Sequence, residues 1–166
     1  MAALATVLSF VVVYRLPNGG SISAASMAPI IFVALTSDLK TALLTSLTYS
    51  LVQMMTGFYP PPTQNIISFI LVILCDYVVA FGVLGLAGII AGAFENKKIG
   101  AGVASAVVCL MRLACHFISG VTIWSVLAPE GTPVWLYSLT YNSSFMIPEA
   151  IITTLVIVLI YNNVKK

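Results

Sequence analysis

Four ionisable side chains fall inside long hydrophobic runs of this chain: Asp76, Arg112, His116 and Glu149. An ionisable group at bilayer depth costs at least about 2.5 kcal/mol, so such residues mark function by default. Arg112, His116, Gly120 and Trp124 recur every four residues, which stacks them along one helix face. That face runs from a cation, through an imidazole and a gap left by glycine, to an indole. Asp76, with Tyr77 beside it, and the later Trp135 and Tyr137 add a carboxylate and further aromatics. Taken singly, each has a plainer reading. The aspartate could pair with a base such as Arg112, the histidine could be satisfied within the bundle, and the aromatics could anchor at headgroup depth. Their convergence near the same ends of three runs points instead to a ligand site. Aromatic faces attract weakly hydrated cations, and a carboxylate supplies countercharge and accepts hydrogen bonds. The set therefore suits a flat, cationic, heteroaromatic molecule better than a sugar or a phosphate. Glu149 follows Asn142 by seven residues, on the same helix face and roughly 10 Å deeper. It is expected to form a buried pair with Arg112 beneath the site. Cys75, Cys109 and Cys115 lack metal-ligand spacing and read as packing residues. No metal or cofactor is expected. No glycine-rich phosphate loop or basic-aromatic stripe suggests a nucleotide or nucleic acid.

The elements that position these residues follow from composition. Of 166 residues, 60% are hydrophobic and 7% charged, with a mean hydropathy of +1.09. Soluble domains carry about a quarter charged residues, so the expectation is a polytopic membrane protein with no attached soluble domain. At about 20 residues per span the length allows roughly six helices in one domain, residues 1–166. The first run, Met1 to Tyr14, is short for a span, and without a basic n-region it does not read as a signal peptide. Residues 15–26 form a polar Gly/Ser/Pro connection, followed by a short run from Met27 to Thr36, a turn at Asp38 and Lys40, and a third span from Thr41 to Met55. Three consecutive prolines exclude helix from residues 57–65. The fourth span covers residues 66–94, where Gly88 and Gly92 make a GxxxG spacing for close helix approach. The fifth runs from Ile99 to about Leu127 and the sixth from about Leu136 to Val164, before a polar tail. Lys40, Lys97, Lys98, Lys165 and Lys166 all fall on one side of a six-span arrangement, with Arg15 alone on the other. The positive-inside rule then places both termini in the cytoplasm and the irregular connections outside.

Several stretches resemble the thiamine-specific substrate-binding S-component of energy-coupling-factor vitamin transporters. They are MAALA (1–5), LPNGGSIS (16–23) with the following Pro29, CDYVVAFGVLGLAG (75–88), HFISGVTIW (116–124) and WLYSLTYN (135–142). The resemblance covers nearly the whole chain in order. It implies an all-α, six-helix membrane bundle in a prokaryotic cell membrane, with a thiamine pocket opening outward. It also implies that Asp76 is the pocket carboxylate with Tyr77 next to it, and that His116 and Trp124 stack on the vitamin's rings. Gly120 is the implied point of close backbone approach, and Tyr137 and Asn142 the polar contacts from the last loop and helix. Tyr59 matches more loosely because of the PPP insertion. Where some members place a tryptophan in the first outer loop, this chain offers backbone with Ser21 or Ser23. Ala2, Ala3 and Ala5 are what the resemblance leaves of the surface that docks on a transmembrane coupling subunit, which works with two ATPase subunits. Thiamine uptake, with no catalysis on this chain, is the implied function. The competing readings are a thiamine precursor or analogue as ligand, an intramembrane enzyme using Asp76 and His116 as acid and base, and a membrane assembly protein.

Overall fold

The computed structural model describes residues 1–164, with side chains described as far as Tyr161; Lys165 and Lys166 of the charge argument lie outside the described residues. Helix α1 (Ala2–Phe10) stops where the sequence turns β-branched. Val11, Val12 and Val13 are stiff at χ1 and favour extended backbone. Here the chain departs from an all-helical expectation, because β1 (Val12–Arg15) pairs antiparallel with β2 (Ser21–Ser23). The supposed connection of residues 15–26 is thus mostly a hairpin. Its tip turns through a 3₁₀ segment, Pro17–Gly19, with Asn18 at φ 62° and Gly19 at φ 92°. That left-handed geometry is open to glycine and tolerated by asparagine.

Helix α2 (Ala28–Thr36) buries Ala28, Pro29, Ile30, Ile31 and Ala34, and α3 (Leu39–Gly57) starts at a side-chain cap. The Asp38 carboxylate accepts from the Thr41 backbone N–H at 3.1 Å and from its hydroxyl at 2.7 Å. These two bonds, the hydroxyl first, hold the Asp38 carboxyl below the ordinary carboxylate value. The triple-proline segment is non-helical as expected. Helix α4 (Ile66–Gly92) then begins at an Asn65 cap. Helix α5 (Lys97–Thr122) begins at Asn96 and α6 (Val134–Val164) follows a short irregular loop.

Helices α4, α5 and the described part of α6 are long and apolar enough to cross a membrane. Helices α1 and α2 have nine residues each, about 13.5 Å, and fall short of the roughly 30 Å hydrocarbon core. Along α6 the buried residues Ser138, Asn142, Phe145, Met146, Glu149, Thr153 and Ile157 form one stripe at helical spacing, while Leu139, Ile147, Ile151, Leu155 and Leu159 are exposed. Polar groups inside and bare aliphatic side chains outside are the reverse of a soluble helix, and fit lipid as the surrounding solvent. Close approach of α4 to α2 falls at Gly88, where an added Cβ would lie 2.1 Å from the Ala34 carbonyl oxygen. Gly92, the other half of the expected GxxxG pair, has nothing within 4 Å of that position, so the motif acts through Gly88.

Candidate functional site

Asp76 lies in a break of helical regularity. Within α4 the hydrogen bonding widens to a π-helical turn over Ile73–Val78 and tightens to 3₁₀ over Val83–Leu86. A π-turn holds an extra residue, and such bulges are frequent at functional sites. Asp76 and its neighbour Tyr77 both border a cavity of about 260 Å³ between the helices.

The carboxylate is held by three donors. His116 Nδ1 lies 2.9 Å from Asp76 Oδ1, while Oδ2 accepts from the Ser119 hydroxyl at 2.6 Å and from Trp124 Nε1 at 3.1 Å. Trp124 is not on the helix face that the four-residue spacing implied. Helix α5 ends at Thr122, and the Ile123 and Trp124 N–H groups both turn back onto the Ser119 carbonyl, at 2.7 and 3.3 Å. The indole still reaches Asp76 because the chain folds over the helix end. His116 Nε2 is buried and has no protein partner.

Tyr77 anchors a loop. Its hydroxyl donates to the Gly57 carbonyl at 3.1 Å and accepts from the Tyr59 N–H at 3.0 Å. That fixes the start of the proline segment and lays the Tyr59 ring on Trp124, with centroids 5.3 Å apart. Tyr59 also packs against Gly19 at the hairpin tip. From the other side α6 presents Tyr137 stacked on Tyr141, with centroids 5.9 Å apart, and Phe145 edge-to-face with Tyr141 at 5.7 Å. Tyr141 ties the hairpin down: its hydroxyl donates to the Pro17 carbonyl and accepts from the Gly20 N–H.

Two polar side chains of α6 lock it to α5. Asn142 donates to the His116 carbonyl at 3.2 Å, and the Ser138 hydroxyl donates to the Phe117 carbonyl at 2.9 Å. The contact needs Gly120, since a Cβ there would stand 2.1 Å from Ser138 Oγ and 2.9 Å from its Cβ. Asn142 and Gly120 therefore set the position of the His116 backbone, besides bordering the cavity.

Asp76 and Tyr77 from α4, His116 and Gly120 from α5 and Trp124 from the fold-back after it share one cavity with Tyr137, Asn142, Tyr59 and Ser21. The expected docking residues lie elsewhere. Ala5 is fully buried within the chain, so it offers no surface to another subunit; Ala3 is exposed and Ala2 partly so. The expected Arg112–Glu149 pair is also corrected. The Arg112 guanidinium lies over the Phe81 ring, 4.2 Å from its centroid, and its Nε has no partner. Glu149 is 4% exposed and accepts instead from Ser23 and from Ser26 at 3.2 Å. A tight turn supplies both hydroxyls, with Ala25 at φ 58° between them. This left-handed geometry is costly for alanine and is kept by the surrounding contacts. Ser119, Ser26 and Tyr141 were missed in the sequence. Ser119 stands one turn after His116 and Tyr141 one turn after Tyr137, so helical spacing carried a signal for both; nothing local marked Ser26.

The family model described as "Thiamine transporter protein (Thia_YuaJ)" matches residues 1–166. A Bacillus subtilis (strain 168) protein named "Thiamine transporter ThiT" is 37% identical over 174 aligned residues, spanning 97% of this chain and 86% of its own. A protein of the same name from Lacticaseibacillus paracasei is 34% identical over 91 residues, 49% of this chain and 45% of its own. The solved structure of ThiT from Listeria monocytogenes superposes with a TM-score of 0.78, covering 98% of this chain and 90% of that one. At 20% identity that likeness establishes the fold alone.

Proposed function

The chain belongs to the thiamine transporter family, and from that membership we propose how its cavity serves uptake: as the thiamine-binding S-component of an energy-coupling-factor transporter, it takes the vitamin into the space between Asp76, His116 and Trp124. The observation that carries this reading is the Asp76 constellation, a membrane-depth carboxylate organised by an imidazole, an indole and a serine at the wall of one cavity. Thiamine joins an aminopyrimidine to a positively charged thiazolium. Its amine and ring nitrogens suit Asp76 and the unpartnered His116 Nε2, and its flat rings suit Tyr59, Trp124 and the α6 aromatics. At about 260 Å³ the cavity lies just below the usual range of ligand pockets, which starts at roughly 300 Å³. It fits two small rings better than a nucleotide or an oligosaccharide.

Residues 1–166 act as one membrane domain of six helices, the short α1 and α2 completing the bundle around the longer four. The hairpin, the proline loop and the α5–α6 loop alternate with the lysine-bearing turns at Lys40, Lys97 and Lys98. This alternation supports an outward-facing cavity and cytoplasmic termini. Ala2 and Ala3 remain as the α1 surface for a transmembrane coupling subunit. Two ATPase subunits supply the energy, since the sequence carries no phosphate-binding loop. Calorimetric titration of purified protein tests the ligand assignment. Intact thiamine is expected to bind at least 100-fold tighter than either its pyrimidine or its thiazole half, because the two rings share one binding event (about 2.7 kcal/mol). Equal affinity for one half and for the whole vitamin would overturn it.

A further inference from the structure

Glu149 has no role in the Asp76 constellation, yet it borders the same cavity. Along α6 it lies twelve residues beyond Tyr137, about 18 Å towards the other end of the helix. Arg112, one turn beyond His116 in the same direction, shares that inner end. The two carboxylates differ in how far the protein satisfies them. Asp76 takes three donors spread over both oxygens. Glu149 takes its donors on Oε1 alone, from neutral hydroxyls, and among the described residues no protein donor reaches Oε2. Nor does a cation neutralise it: among the described residues the ion pair within 4.0 Å is His116–Asp76, and Arg112 is turned over Phe81. A buried carboxylate is costly unless paired. The inner end of the cavity wall thus carries the Glu149 carboxylate with the Arg112 guanidinium near it but not paired to it.

We propose that Glu149 is the counter-ion of the ligand's positively charged ring, so that the inner end of the cavity selects a monocation while Asp76 organises the outer end. The assignment rests on thiamine being the ligand and adds which carboxylate reads its charge. The Ser23 and Ser26 hydroxyls aim the carboxylate by holding Oε1 and leave Oε2 for the thiazolium. They belong to the hairpin end and the turn after it, so the same contact ties the hairpin to α6 when the charge is met.

The test compares thiamine with its neutral isostere, in which carbon replaces the thiazolium nitrogen, on purified wild-type protein and on Glu149→Gln, Glu149→Asp and Asp76→Asn. Wild type is expected to prefer thiamine by about tenfold or more, the order seen when one member of a buried charge pair is neutralised. Glu149→Gln should lose most of that preference, with the neutral isostere held within about threefold of wild type, which also shows that the variant is folded. Glu149→Asp should keep the preference. Asp76→Asn should weaken both ligands yet still favour thiamine. Equal loss of both ligands in Glu149→Gln would overturn the proposal and make Glu149 a structural residue. Absence of preference in wild type, or its disappearance in Asp76→Asn, would overturn it as well, whether or not the Gln variant folds. Failure of wild type to bind thiamine at all would instead remove the ligand assignment on which it stands.

Discussion

Replacing Gly120 by alanine tests the geometry of the site from its supports. The new methyl would stand 2.1 Å from Ser138 Oγ, 2.9 Å from Ser138 Cβ and 3.2 Å from Asn142 Nδ2. The hydroxyl can rotate away, but the Cβ cannot. Carbon atoms pack at about 3.5–4.0 Å, so α5 and α6 must part by roughly 0.6–1.1 Å. Ser138 to the Phe117 carbonyl is now 2.9 Å and Asn142 to the His116 carbonyl 3.2 Å. Such a shift takes both bonds beyond useful range. Overpacking costs about 1–3 kcal/mol and the two lost bonds about 1 kcal/mol each. The expected destabilisation is therefore about 3–5 kcal/mol, or roughly 10 °C in Tm for a chain of this size. The His116 backbone moves with α5, so thiamine affinity should fall too. Adding Ser138→Gly removes both clashing atoms but also the bond to the Phe117 carbonyl, so the double variant should recover part of the lost Tm and lie above the value that the sum of the two single losses gives. The assay is thermal unfolding of the four members of the cycle in detergent, with thiamine titration of each. A Gly120→Ala protein with unchanged Tm, or a coupling energy near zero, would refute the packing argument.

Other perturbations follow from the same contacts. Asp76→Asn cannot accept from His116, Ser119 and Trp124 together, and should weaken thiamine by about 100-fold, the loss of charge-assisted bonds worth about 1.5–3 kcal/mol each, measured by calorimetry. Tyr77→Phe removes the bonds to Gly57 and Tyr59 but keeps the ring stacked on Phe58 at 5.5 Å. It should cost about 1–2 kcal/mol and speed thiamine release through the loosened Tyr59 loop, as read by stopped-flow. The Asp38 cap stabilises α3 fully above the unfolded carboxyl value of 3.8 and is lost as pH falls through the lower folded value. The Tm difference between wild type and Asp38→Ala should therefore be constant at neutral pH and shrink once the pH drops below about 4.

The charged and aromatic skeleton of the site was legible because lipid makes such residues conspicuous. Asp76, His116 and Trp124 stand out in apolar runs, and His116 and Gly120 keep the helix register that periodicity assigned. What the sequence hid was backbone irregularity. The π-turn that sets Asp76 and the fold-back that brings Trp124 onto Ser119 leave no mark in a period of 3.6. The hairpin was hidden in a different way. Val11 to Tyr14 reads as apolar span on hydropathy, whereas its β-branched stiffness points to strand. Arg112 and Glu149 were paired on opposite charge and on their shared depth beneath the site. The fold offered each a nearer partner, an aromatic face for the guanidinium and two hydroxyls for the carboxylate. Ser26 was invisible because a serine beside Ala25 carries no pattern until the turn brings it to α6.

The most direct measurement of the central claim uses the two tryptophans of the chain. Trp135 is 55% exposed, whereas Trp124 borders the cavity with its indole N–H on Asp76. In a Trp135→Phe background Trp124 is the sole tryptophan reporter, and thiamine titration should quench its emission saturably with one site per chain. Unchanged Trp124 fluorescence at micromolar thiamine, in protein shown to be folded by circular dichroism, would contradict a binding site at Asp76, His116 and Trp124.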